Sequence, residues 1–221
     1  MYIWLFIIPL LLVLGAQALV TGTYKKYKVV RNQKNVTGFD AARRILDAAG
    51  MKDVYIVETK GVMSDHYDPR KKVVRLSSEV YHGVSIASVS IAAHECGHAI
   101  QDKEGYAFMR VRGMMVPVVN IASKIGYFVL LVGLIASLFD LAFLGFILLS
   151  ATLLFQLVTL PVEFDASTKA RKWLVDENLI LDDEVTKVKS MLGAAAMTYV
   201  ASLLANLIEM IRLYLILTRR N

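Results

Sequence analysis

Cysteine is almost absent: one residue, Cys96, in a chain of 221. That excludes an internal disulfide framework and suits a reducing compartment. The sequence also lacks zinc-finger spacing, an RNP-like run, a Gly-rich phosphate loop and any internal repeat. Nucleic-acid modules, nucleotide-binding folds and solenoids are therefore left without a signature. A formal net charge of +6 would suit an anionic partner. The Lys and Arg, however, crowd beside apolar runs, where lipid headgroups and membrane topology account for them and nucleic acid does not. Histidine is scarce as well, with only four in the chain.

What is abundant is apolar sequence. Apolar residues make up 56% of the chain, too many for an ordinary soluble domain, so the composition points to a membrane protein. Tyr2 to Val20 is almost wholly apolar and long enough to cross a hydrocarbon core of ~30 Å. Tyr2 and Trp4 stand where an aromatic belt would lie. Ala16-Gln17-Ala18 resembles a signal-peptidase site, but no basic residue precedes the apolar run, which favours an uncleaved anchor. Lys25, Lys26, Lys28, Arg31 and Lys34 follow it and place the next segment in the cytoplasm by the positive-inside rule.

Val116 to Phe139 and Leu141 to Leu160, separated by Asp140, predict a transmembrane helical hairpin that ends at Pro161. Lys124, in the first turns of its span, can snorkel to the headgroups. Met191 to Leu217 predicts a fourth span, or a helix lying in the interface, with Glu209 and Arg212 paired on one face. A full crossing leaves Arg219 and Arg220 outside, against the charge preference.

Between the first span and the hairpin the chain alternates local signals. Thr37 to Gly50 predicts a short amphipathic helix capped by Thr37 or Asp40 and stopped by Gly50. Val54–Glu58 and Lys72–Ser77 predict strands, with a turn at Asp68-Pro69-Arg70-Lys71. Such a sheet could hold an extended peptide at its edge, or simply be a scaffold hairpin.

The densest chemistry lies in His94-Glu95-Cys96-Gly97-His98, within the Ala-, Ile- and Ser-rich run Ser85 to Gln101, which predicts a helix. Positions four apart share a helix face, so His94 and His98 can present two imidazole nitrogens to one metal ion. Glu95 projects about 100° from His94, suited to a general base acting on water rather than to a ligand. The alternative is a set of ordinary polar residues on a helix face. Gly97 costs such a helix roughly 1 kcal/mol relative to Ala, and close approach of a ligand or a neighbouring backbone is a reason to carry it. Cys96 points off the His face and reads as a small buried hydrophobe. His66 and His82 fit turn or surface positions, though either could reach an oxyanion.

A catalytic zinc takes three protein ligands plus water, so a third ligand is expected. Glu163 and Asp165 stand where the chain leaves the hairpin, and burying carboxylates there is costly without a cation. They could equally be acidic residues favoured at a helix start.

These residues together resemble the YugP-like family of bacterial membrane zinc peptidases. The matching segments are Leu76-Ser77, Ser64 to Pro69, the run His94 to Gln101, and Pro161-Val162-Glu163-Phe164-Asp165-Ala166-Ser167. The likeness covers nearly the whole chain. A more distant likeness is to gluzincin membrane proteases of the HtpX type, which pair H-E-x-x-H with a downstream E-x-x-x-D whose Glu binds zinc. Here Ser167 stands four residues after Glu163, and the Asp falls at Asp165. Asp165 is thus either an alternative ligand or a residue orienting a ligand histidine.

The resulting expectation is a mainly α membrane protein with about four transmembrane helices and a small α+β zincin-like catalytic domain at the cytoplasmic face. Its parts are an anchor (1–20), a catalytic segment (21–115), a hairpin (116–160), a juxtamembrane segment with the third ligand (161–190) and a C-terminal membrane helix (191–221). The expected activity is zinc-dependent endopeptidase at the bacterial inner membrane, with one Zn²⁺ per chain on His94, His98 and Glu163 and with Glu95 as base. Its partners would be the lipid bilayer and membrane or unfolded protein substrates. Two rivals stand beside it: a non-catalytic membrane scaffold with a structural or absent metal, and a site-2-type intramembrane protease. The second fits poorly, since the stretch from His82 to Asp102 is short and weakly apolar for a span.

Overall fold

The computed structural model describes residues 3–218. Tyr2, Arg219 and Arg220, which enter the topology argument above, lie outside the described residues. The order is α1 (Trp4–Lys28), α2 (Gly38–Ala48), β1 (Tyr55–Thr59), β2 (His66–Asp68), β3 (Val73–Ser77), α3 (Ser78–Tyr81), α4 (Ile86–Glu104), α5 (Ala107–Ile135), α6 (Phe139–Asp176) and α7 (Asp182–Thr218). The chain is mainly helical, and α1, α5, α6 and α7 are each long and apolar enough to cross a membrane.

Two compact units emerge. One gathers the chain up to Gln17, Ala107–Pro161 and the chain from Thr198; the other gathers Ala18–Tyr106 and Val162–Met197. In the first, α5 and α6 meet across small residues. A Cβ on Gly126 would come within 2.8 Å of the Leu148 Cβ, and Gly133 and Gly145 face the backbones of Ala142 and Leu130. Small residues of this kind let helix backbones approach where no hydrophobic effect drives them together. Leu130, Ala142, Leu149, Met210, Leu213 and Leu217 form the buried core of this unit. Within it, Asn206 donates to Thr152 (2.9 Å) and Gln156 (3.0 Å), and Arg212 Nε donates to Glu209 at 2.8 Å, the pairing their spacing predicts.

The second unit is built around α4. Ser85 caps its N-terminus by accepting from the Ser88 N–H, and Gly105 ends it in the left-handed conformation (φ 64°). Helix α2 packs on it, and Ala41, Ala42, Ile45 and Leu46 of α2 are fully buried. The expected cap at Thr37 forms a full capping box with Asp40. The sheet has the order β1-β3-β2.

Several expectations change. Strands β1 and β3 are not a hairpin: they pair in parallel, and the unforeseen β2 pairs antiparallel with β3. The Asp68 turn instead links β2 to β3, with Asp68 Oδ1 accepting from the Arg70 and Lys71 N–H groups. Pro161 does not end its helix, since α6 continues to Asp176. A proline removes one hydrogen bond from a helix, and 38 residues supply bonded turns on both sides of it. Helix α5 already begins at Ala107, so Lys124 lies mid-helix rather than in the first turns.

Candidate metal centre

The centre is assembled from α4 and α6. Gly97 lets them meet: a Cβ there would lie 2.6 Å from the Ala166 carbonyl oxygen and 3.1 Å from its Cα. No real Cβ contact is as short as the first. With hydrogen in place of a side chain, the turn of α6 carrying Val162, Glu163 and Ala166, all buried, can lie against the motif.

That approach brings three donors together. His94 Nε2 lies 3.3 Å and His98 Nε2 3.7 Å from Glu163 Oε2. Ligand atoms of His94, His98 and Glu163 all fall within 4.8 Å of one another, the one such group of three or more His, Cys, Asp or Glu among the described residues. The imidazole rings stand edge to face, with centroids 4.7 Å apart. Glu163 is 2% exposed. Burial alone would disfavour a charged His98, but the hydrogen bond to Glu163 and the charges of Glu95 and Glu163 outweigh it and raise its pKa. The pocket thus favours positive charge. Two imidazole nitrogens and one carboxylate are a donor set that zinc accepts with a position left open.

Glu95, 8% exposed, points elsewhere: its Oε2 accepts the backbone N–H of Tyr67 on β2 at 2.9 Å. The Tyr67 hydroxyl donates to Asp102 at 2.9 Å, so one residue of the short strand is tied to α4 at two points, two turns apart.

Asp165 is not among the converging donors. It lies about 200° round α6 from Glu163 and accepts instead from Gln101 Nε2 at 2.8 Å. Nor does it meet a histidine directly. Gln101 stands between them, its Oε1 3.0 Å from His98 Nδ1. Ser167 takes the other outer position, with Oγ 3.3 Å from His94 Nδ1. Gln101 and Ser167 were not assigned from the sequence, although a signal was there. Gln101 is three residues after His98 and Ser167 four after Glu163, so each shares a helix face with a donor.

Cys96 is fully buried against the Ala42 carbonyl (3.6 Å), and burial raises its thiol pKa, as befits an inert core residue. His66 Nδ1 lies 2.8 Å from the Ser64 carbonyl, and His82 pairs with Glu58 at 3.3 Å; both are exposed.

A family model described as "Putative neutral zinc metallopeptidase" matches residues 2–218. The chain belongs to that family. Its YugP-like character is direct: the chain is 44% identical over 216 residues to "Putative membrane protease YugP" of Bacillus subtilis (strain 168), across 98% of this chain and 96% of that protein. No solved structure matches this member of the family.

Proposed function

We propose that the protein is a membrane-bound zinc endopeptidase of gluzincin type, with one zinc ion held by His94, His98 and Glu163 and with Glu95 as general base. The observation that carries this reading is the convergence of three donor atoms from α4 and α6 within 4.8 Å, with Glu95 adjacent in the same motif and outside the donor set. A purely structural site has no use for such a base and prefers four protein ligands.

When bound, zinc supplies Lewis acidity, polarising a peptide carbonyl and lowering the pKa of water. The chain supplies the rest. The Tyr67 N–H engages one oxygen of Glu95, which leaves the other to take a proton from the attacking water and return it to the leaving amine. Ser167 and Gln101 meet the Nδ1 atoms of His94 and His98, so that both Nε2 atoms face Glu163. The α2–α4 pair with its three-stranded sheet would be a small zincin-like domain.

The basic residues Lys25, Lys26, Lys28, Arg31 and Lys34 after the first apolar helix support a position for this domain at the cytoplasmic face of a bacterial inner membrane. Substrates would then be membrane proteins or unfolded cytoplasmic segments. The intramembrane alternative loses ground, because α4 is not among the four helices apolar enough to span.

The test compares wild type with Glu95→Gln for zinc content and for cleavage of several unfolded proteins. One zinc in both, with cleavage by wild type alone, is the expected result. Equal cleavage by both would remove Glu95 from the mechanism. A wild type without zinc after zinc is supplied would favour the scaffold.

A further inference from the structure

Gln101 is a fully buried polar side chain one turn beyond the H-E-x-x-H motif. Its amide has only one workable orientation. Nε2 lies 2.8 Å from the Val162 carbonyl oxygen and 2.8 Å from Asp165 Oδ2. Both partners are acceptors only, so the NH₂ group must face them, and it spends both its hydrogens there. The amide oxygen then faces His98 Nδ1 at 3.0 Å. An amide oxygen cannot donate. Nδ1 of His98 must therefore carry a proton, and in the neutral ring that is the tautomer which keeps the Nε2 lone pair for a metal.

We infer that Gln101 and Asp165 form a positioning relay: Asp165, with the Val162 carbonyl, locks the Gln101 amide, and the amide fixes the tautomer and ring orientation of His98. Asp165 thus acts on the metal through Gln101 and is not a ligand. The inference rests on the zinc-site reading above and adds to it two positioning residues. The relay also joins α4 to the same turn of α6 that carries Glu163, so it sets the ring and the third donor in register.

The experiment uses the full-length protein in detergent. Zinc affinity is measured by competition with a chromophoric chelator, and the protonation of the His98 ring is read by ¹⁵N NMR on metal-free protein, at the alkaline end of a pH titration that follows the ring to its neutral form. Gln101→Met keeps the volume and removes both ends of the relay. It should weaken zinc binding by roughly 10–100-fold, as for loss of other groups that orient metal-bound histidines, and should mix the two tautomers. Asp165→Ala, at a partly exposed site, reads the same relay from its far end should Gln101→Met fail to fold. It should weaken zinc binding by a smaller factor, while Asp165→Asn, whose amide oxygen can still accept, should restore affinity to within about threefold of wild type. Lys169 contacts Asp165 at 3.7 Å and Glu104 at 2.8 Å; Lys169→Ala should leave zinc affinity and tautomer alone, separating the relay from this ion pair.

Equal zinc affinity in wild type, Gln101→Met and Asp165→Ala would overturn the relay while leaving the zinc site standing. A neutral His98 ring with its proton on Nε2 in wild type would overturn it too. If wild type binds no zinc, the zinc-site reading fails, and the NMR comparison still decides whether the relay fixes the ring.

Discussion

The two compact units use the same apolar residue types in opposite ways. In the unit of α5 and the apolar part of α6, large side chains face outward: Phe128 is 68% and Ile135 77% exposed. Close contact there falls to glycines. In the unit around α4, Leu46 and Leu76 are fully buried, and so are Gln101 and Glu184. Each of these two polar side chains is hydrogen-bonded, Glu184 to the Gln33 and Leu181 N–H groups. An outward apolar surface suits a lipid solvent, whereas buried polar groups must find partners inside the protein. Composition therefore governs the first unit. Individual positions govern the second, and the converging donors His94, His98 and Glu163 lie there.

Substitutions can test that contrast. The largest effect is expected at the donors. Glu163→Ala should take zinc content from one per chain to none by elemental analysis, whereas retained zinc would place the third ligand elsewhere. Glu95→Gln should keep the zinc and lower kcat/KM for peptide hydrolysis by about 10²–10⁴-fold, the range for losing a general base.

Next come the glycines. Gly97→Ala would press a methyl group on the Ala166 carbonyl, costing about 1–3 kcal/mol by overpacking and weakening zinc binding as α6 moves away. Gly113 meets nothing within 4 Å, so Gly113→Ala should be neutral or stabilising by up to about 1 kcal/mol. Denaturation of both variants with zinc titration measures this, and matching results would erase the distinction.

A smaller contrast lies in the apolar side chains. Leu76→Ala should cost about 2–5 kcal/mol and Phe128→Ala, in the outward set, less than about 0.5 kcal/mol. The smallest effect is at Asp65. Burial raises its pKa against the lowering effect of hydrogen bonds from Ser77. A folded-state pKa above the unfolded value means that the folded state holds the proton more tightly. The carboxylate then costs stability at neutral pH, and the cost fades as pH falls through the folded pKa. Asp65→Asn should stabilise metal-free protein slightly at pH 7, by about 0.5 kcal/mol or less in thermal denaturation, and not at pH 3. A gain that persists at pH 3 would point to a cause other than ionisation.

Much of this was legible in the sequence because it is local. Helix α4, the pairing of His94 with His98, the Thr37 cap and the long apolar helices follow from residue types and spacing within a few turns. The pairing of β1 with β3 did not follow, because alternation marks a strand without naming its neighbour. Strand β2, three residues ending just before Pro69, is too short to alternate visibly. Asp165 stayed ambiguous because distance along the chain was weighed without helix register. Once 161–174 is helical, Glu163 and Asp165 fall on different faces. The contacts of Gln101 with α6 span more than 60 residues, and no spacing rule reaches that far.

The His94–Glu163 contact spans 69 positions, and that separation has a meaning in time. A ribosome releases the chain from the N-terminus, so the motif histidines emerge well before the third donor exists. The intervening residues include all of α5 and the first part of α6. By the time Glu163 is added, both arms of the hairpin have been made. A nascent chain halted between His98 and Glu163 carries the motif without the third donor, so under the proposed reading a product stalled or truncated there lacks the full donor set.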